Sequence, residues 1–134
     1  MGRIRLYDCN DYEDVNKILY DSFGVTKKLN LSSDSFFELV YVDKGRVLGY
    51  LLVTKIFDPI LSRLKYKIDY VCVDVDFRHV GIGTLLVKKV IEYAKKDGIF
   101  EIELTSGYEK KNAHGLYSKL GFKKKKSYIF KKII

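Results

Sequence analysis

The chain has 134 residues, 47% of them hydrophobic and 31% charged, and a formal net charge of +8. That length suits one domain with a sizeable core, and that composition excludes a disordered chain. No apolar run reaches the ~18 residues of a membrane span, and two cysteines without a CxxC exclude a cysteine zinc site and a disulfide framework.

In chain order, IRLY at 4–7 is predicted to be a strand. The start, MGRIRLYDCND, lacks the apolar stretch of a signal peptide, and Leu6 stands where the myristoylation pattern takes Ser or Thr, so a cytoplasmic location is expected. Asn10 or Asp11 is the expected N-cap of a helix carrying Val15, Ile18, Leu19 and Phe23 on one side and stopped by Gly24. SSDS at 32–35 opens a second short helix or a loop. FFELVYVD and RVLGYLLVTKIF are β-rich and joined by Asp43, Lys44 and Gly45, which predicts a hairpin. LKYKIDYVCVDV is a further strand. Ile82, Leu86, Val90 and Ala94 then form a helical stripe with Leu85 and Ile91 beside it, ended by Asp97 and Gly98. FEIELTS is a strand, EKKNAHGLYSKL a helix stopped by Gly121, and GFKKKKSYIFKKI two short closing strands.

A strand–helix–strand unit around the central helix implies a parallel pair with a right-handed crossover, while the hairpins are antiparallel. The expected class is α/β: one mixed, mostly antiparallel sheet with helices on both faces. No repeat or linker interrupts it, and the sole proline is Pro59, so residues 1–134 form a single domain.

DFRHVGIGTLL at 76–86 lies between that strand and that helix. The first helical turn leaves backbone N–H groups unpaired, and with the helix dipole they attract an anion. Gly81 and Gly83 would let a phosphate approach without a Cβ in the way, and Arg78 could add charge-assisted bonds. Leu86 stands where a dinucleotide fingerprint has its third glycine, and the lysine of a P-loop is missing. The plain alternative is a tight strand-to-helix turn.

RHVGIG resembles the [RQ]-x-x-G-x-[GA] motif of the GNAT acetyltransferase superfamily, and AHGLYSKLGF at 113–122 resembles that family's A-x-x-x-Y-x-x-x-G-F segment. The resemblance covers residues 66–125 closely and the N-terminal half in layout. It implies acetyl-CoA as the acetyl donor, with a parallel strand pair splayed around it. Its diphosphate would lie on the amides of Arg78, His79, Val80, Gly81, Ile82, Gly83 and Thr84. Its pantetheine arm would run beside Val71, Cys72 and Val73, and a bulge would be needed to splay the strands. Tyr117 matches the family's general acid. The family's base positions fall on Lys67 and Thr105, with Asp69 and Glu103 on the same faces as near misses; water relaying to a carbonyl would also serve. Lys110 stands where many relatives have a cofactor-contacting asparagine, and Asn112 lies two residues later.

The implied reaction is direct transfer to a primary amine, with a small molecule as acceptor; a protein N-terminus or lysine is the alternative within that chemistry. Cys72 is expected to be a buried thiol, His79 an exposed loop residue, and His114 a packed one. No metal site is expected. The loop 24–36 and the segment 57–66 are expected to shape the acceptor side. The lysine run 123–126 suits the solvated edge of a closing strand, and such edge strands would let a homodimer form. Two further functions remain open. A basic nucleic-acid-binding module is disfavoured because the lysines follow no RNP or zinc-finger pattern. A non-catalytic acyl-CoA binder would leave Tyr117 without a role.

Overall fold

Alternating strand residues and helical stripes assemble into five strands and three helices in the computed structural model, which describes residues 2–106 and 110–134. The strands are β1 (Arg3–Leu6), β2 (Phe36–Asp43), β3 (Arg46–Asp58), β4 (Arg63–Val73) and β5 (Glu101–Leu104), in that spatial order in one sheet. Neighbours are antiparallel except β4 and β5, which are parallel. Helix α1 (Tyr12–Phe23) follows β1, α2 (Ile82–Lys96) is the crossover from β4 to β5, and α3 (Lys111–Lys119) follows β5.

The period of two along each strand sends neighbouring residues to opposite faces. Leu39, Leu51, Val53, Tyr66 and Ile68 meet Ile82, Leu86, Val87, Val90 and Ala94 of α2. Val40, Val47, Tyr50 and Cys72 meet Val15, Ile18 and Leu19 of α1 on the other face. The helices therefore cover both faces, as expected. The stripe of α2 includes Val87 rather than Leu85, which is exposed. The β2–β3 hairpin closes through Lys44 (φ 51°) and Gly45 (φ 74°), the two left-handed residues a two-residue hairpin turn requires.

One local expectation is corrected and two are narrowed to one of their alternatives. Asp11 rather than Asn10 is the N-cap of α1, although its side chain makes no cap bond; Asp8 caps a 3₁₀ turn over Cys9–Asp11 that leads into the helix. Asp11 instead turns inward, where Arg5 donates to both its oxygens at 2.8 and 2.9 Å. Residues 32–35 take the loop alternative, with Ser33 in an isolated bridge to Phe36. The two closing strands are absent, and residues 122–134 carry no regular structure. Four successive lysines put charge on both sides of any strand, leaving no apolar face to specify a register, and Tyr128, Ile129 and Phe130 stand exposed. The homodimer expected from pairing of those strands loses its basis.

Candidate active site

The site begins with an irregularity in β4. Tyr50 pairs with Cys72 and Leu52 with Asp69, so Tyr70 and Val71 together oppose Leu51. This is a β-bulge, and Tyr70 takes the left-handed conformation (φ 56°), which costs an aromatic residue on the order of 1 kcal/mol. The bulge bends β4 just where its pairing with β5 stops. That ladder runs from Lys65↔Glu101 to Ile68↔Leu104, while β4 continues to Val73. Among the described residues no strand pairs with that edge over 69–73, which leaves the end of β4 open.

Beyond Val73 the chain turns into α2. Asp74, buried, accepts from the Asp76 amide at 3.0 Å and from Arg46 Nη2 at 2.8 Å, and its own amide donates to Leu48 at 2.8 Å. These bonds fasten the turn to the sheet. Asp74 and Arg46 were not among the expected site residues; the Asp-x-Asp pattern just after a strand was the available signal, since such an aspartate caps a turn. His79 (φ 65°) and Gly81 (φ 93°) are both left-handed. Gly81 is the N-cap of α2, and no side chain caps the helix. A Cβ on Gly81 would meet nothing within 4 Å, so it would stand in open space, and one on Gly83 would touch Val71 and Val73 at 3.9 Å. Gly83 thus seats α2 on β4, and Gly81 keeps the helix mouth clear. An exposed, uncapped, positively polarised mouth beside an unpaired strand edge fits a diphosphate joined to an extended arm.

Arg78 is exposed; its Nε donates to the Val73 carbonyl at 3.1 Å and its Nη2 to Ser22 Oγ at 3.2 Å, so the guanidinium ties the end of β4 to α1 and keeps Nη1 for a further partner. Val80 is exposed, Ile82 is buried beneath the helix mouth, and Thr84 is half-buried on the first turn. Cys72 sends its side chain into the α1-side core, and burial pushes its thiol up to about 12.

Tyr117 lies on α3, packed on the α2-side core and edge-on to Phe122 at 5.9 Å. Burial pushes its phenol up, so it stays protonated at neutral pH. Asn112 is exposed in the first turn of α3, and His114 is half-buried one turn before Tyr117. Lys110 stacks over Phe23 at 5.4 Å, which in turn packs edge-on against Tyr70 at 5.4 Å. The two acids differ in setting. Glu103 accepts from Lys65 at 3.1 Å on the paired part of the sheet. Asp69 sits at the start of the open edge of β4, between Leu52 across the ladder and the bulge, with Lys67 Nζ 3.9 Å away.

On the α1 face, next to Tyr70, lies a cavity of about 470 Å³. The loop 24–36 walls it, and segment 57–66 contributes none of its lining. Lys27 fastens that wall three times. Its amide donates to Asn16 Oδ1 at 2.7 Å, its carbonyl accepts from the Tyr12 hydroxyl at 2.9 Å, and its Nζ pairs with the buried Glu38 carboxylate. Tyr50 donates to the same carboxylate at 2.6 Å, and the Lys27 ammonium lies 4.5 Å from the Tyr7 ring centroid. Burial, then the Glu38 charge, holds the Tyr7 phenol up at about 12 and the Tyr50 phenol far above its ordinary range. Neither Lys27 nor Glu38 was an expected site residue; a lone acid inside the apolar run FFELVYV was the signal for the pair. Among the described residues no cluster of His, Cys, Asp and Glu could hold a metal ion, and no helix is long and apolar enough to cross a membrane.

The sequence model of the acetyltransferase (GNAT) family matches residues 4–122. The chain belongs to the GNAT acetyltransferase family. An uncharacterized N-acetyltransferase of Methanocaldococcus jannaschii is 51% identical to this GNAT chain over 59 residues, covering 44% of it and 26% of the relative. N-acetyltransferase 8 of Homo sapiens is 29% identical over 114 residues, covering 85% and 49%. The chain thus spans from about a quarter to about half the length of these relatives. Among solved structures, a putative acetyltransferase from Agrobacterium tumefaciens superposes with a TM-score of 0.86 at 16% identity, covering 98% of this chain and 99% of that one, a likeness of fold.

Proposed function

We propose that this GNAT chain moves an acetyl group from acetyl-CoA to the primary amine of a small molecule by direct attack. The observation that carries the proposal is the edge of β4 that runs on beyond its pairing with β5, through the Tyr70 bulge, to the glycine-lined mouth of α2. The amides over 78–84 would hold the diphosphate, and the unpaired edge at Val71, Cys72 and Val73 would take the pantetheine arm as an added strand. Bound there, acetyl-CoA supplies a thioester carbonyl for the amine to attack. N–H groups on the open edge of β4 would stabilise the oxyanion. Asp69, at the start of the open edge of β4, would take the proton the amine sheds before attack. Tyr117, held protonated by burial, would give its proton to the departing sulfur. The buried, proton-retaining Cys72 argues against an acetyl-cysteine relay.

The cavity beside Tyr70 supports a small-molecule acceptor, since its volume lies within the ~300–1,000 Å³ of small-ligand pockets. Coenzyme A titration and thiol release over an amine panel test the reading. No coenzyme A binding and no thiol release with any amine would refute it. With an active amine, Asp69→Asn should remove the acidic limb of the pH–rate profile and Glu103→Gln should not; the reverse pattern would move the base role to Glu103.

A further inference from the structure

We propose that the acceptor is a monoamine with an apolar body, aromatic or branched aliphatic, and without a second cationic group. This rests on the acetyltransferase reading and adds the chemical class of its acceptor. The apolar part of the cavity wall is Leu19, Val25, Leu29, Phe36, Leu52 and Tyr70, drawn from α1, the following loop and the α1-side face of β2, β3 and β4, with the hydroxyl residues Thr26, Tyr50 and Thr54 beside them. The charged residues that line it are Lys27, Lys28 and Glu38. Glu38 is the sole acid among them. Its buried carboxylate already takes the Lys27 ammonium and the Tyr50 hydroxyl. Lys28, exposed at the rim, adds a positive charge.

A second ammonium on the acceptor would therefore enter an apolar cavity that offers a neutralised carboxylate and a repelling lysine. Desolvating a cation without a counter-ion is strongly unfavourable. An apolar body loses nothing there and gains by leaving water. One amine is accommodated separately: Asp69 lies outside the lining, yet it is the ladder partner of Leu52 and the chain neighbour of Tyr70, both of which line the cavity. The cavity and the open edge of β4 thus meet at the bulge, with an acid for one reacting amine at the junction and apolar surface behind it.

The test compares 2-phenylethylamine and 3-methylbutylamine with spermidine and glucosamine, reading kcat/KM by thiol release and acceptor binding by proton–nitrogen NMR. Binding reads the cavity whether or not transfer occurs, and coenzyme A titration reads the donor side separately. The apolar monoamines should bind, shift the Leu52 and Thr54 amides, and exceed the other two in kcat/KM by at least about tenfold. Leu52→Glu, and independently the half-buried Thr54→Glu, should reverse that preference toward spermidine while coenzyme A affinity holds. Equal or better use of spermidine or glucosamine by the wild-type chain would overturn the acceptor class and leave the acetyltransferase reading standing. Absence of thiol release with intact binding of 2-phenylethylamine would do the opposite. Failure of both apolar amines to bind, or an unchanged preference in a folded glutamate variant, would overturn the proposal.

Discussion

Replacing Lys27 by methionine removes one partner of an ion pair whose side chains are only 11% and 5% exposed, and so leaves the Glu38 carboxylate buried without its cation. Breaking such a pair costs about 3–5 kcal/mol. Methionine retains the apolar stem, and the Tyr50 hydroxyl still donates to Glu38, so the lower end, about 3 kcal/mol, applies here. With an unfolding entropy near 2.1 cal/mol/K per residue, a chain of this length should lose on the order of 10 °C in Tm. Adding Glu38→Gln removes the stranded charge and keeps an acceptor for Tyr50. The double variant should recover to within about 1 kcal/mol of the parent, a coupling of at least about 2 kcal/mol, larger by whatever Glu38→Gln alone costs in stranding the Lys27 ammonium. Urea and thermal denaturation of all four proteins close the cycle. Because Lys27 also fastens the cavity wall, the single variant should raise the acceptor KM without changing coenzyme A affinity. A stability loss under about 0.5 kcal/mol for Lys27→Met, or an additive double variant, would refute the reasoning.

Gly81→Asp should lower coenzyme A affinity by at least about 100-fold, because it sets a carboxylate in the open space over the mouth of α2, and an unchanged Kd in calorimetry would remove the cradle. Tyr117→Phe should lower kcat by about 100-fold with coenzyme A affinity intact; equal turnover would exclude it as the acid. In the native protein Ellman's reagent should titrate the exposed Cys9 and spare Cys72 until denaturant is added, and immediate reaction of both would contradict the burial. Cys72 also makes an alkaline prediction. Its folded pKa, about 12, is raised above the ordinary 9.0 by burial, so its contribution to stability is whole below pH 9 and is lost as pH rises through 12. Cys72→Val should therefore show a shallower fall in stability over that window, measured by urea denaturation at stepped pH.

Most of the element layout, the glycine turn and the family were legible in the residues. Helical stripes, strand alternation, Gly24 and the Lys44–Gly45 turn depend on neighbours a few positions apart, and local spacing encodes them directly. The closing strands failed because β-forming residues between lysines look like a strand locally, while a strand survives only with a face to bury. What the sequence by itself determined, then, is the order of elements and the bare helix mouth at Gly81. Only the tertiary structure decided that β4 bulges at Tyr70, that Arg78 ties Val73 to Ser22, and that Lys27 meets Glu38 under the cavity. Those features join residues from separate elements, and their energies depend on burial and register, which exist only once the sheet and helices have packed.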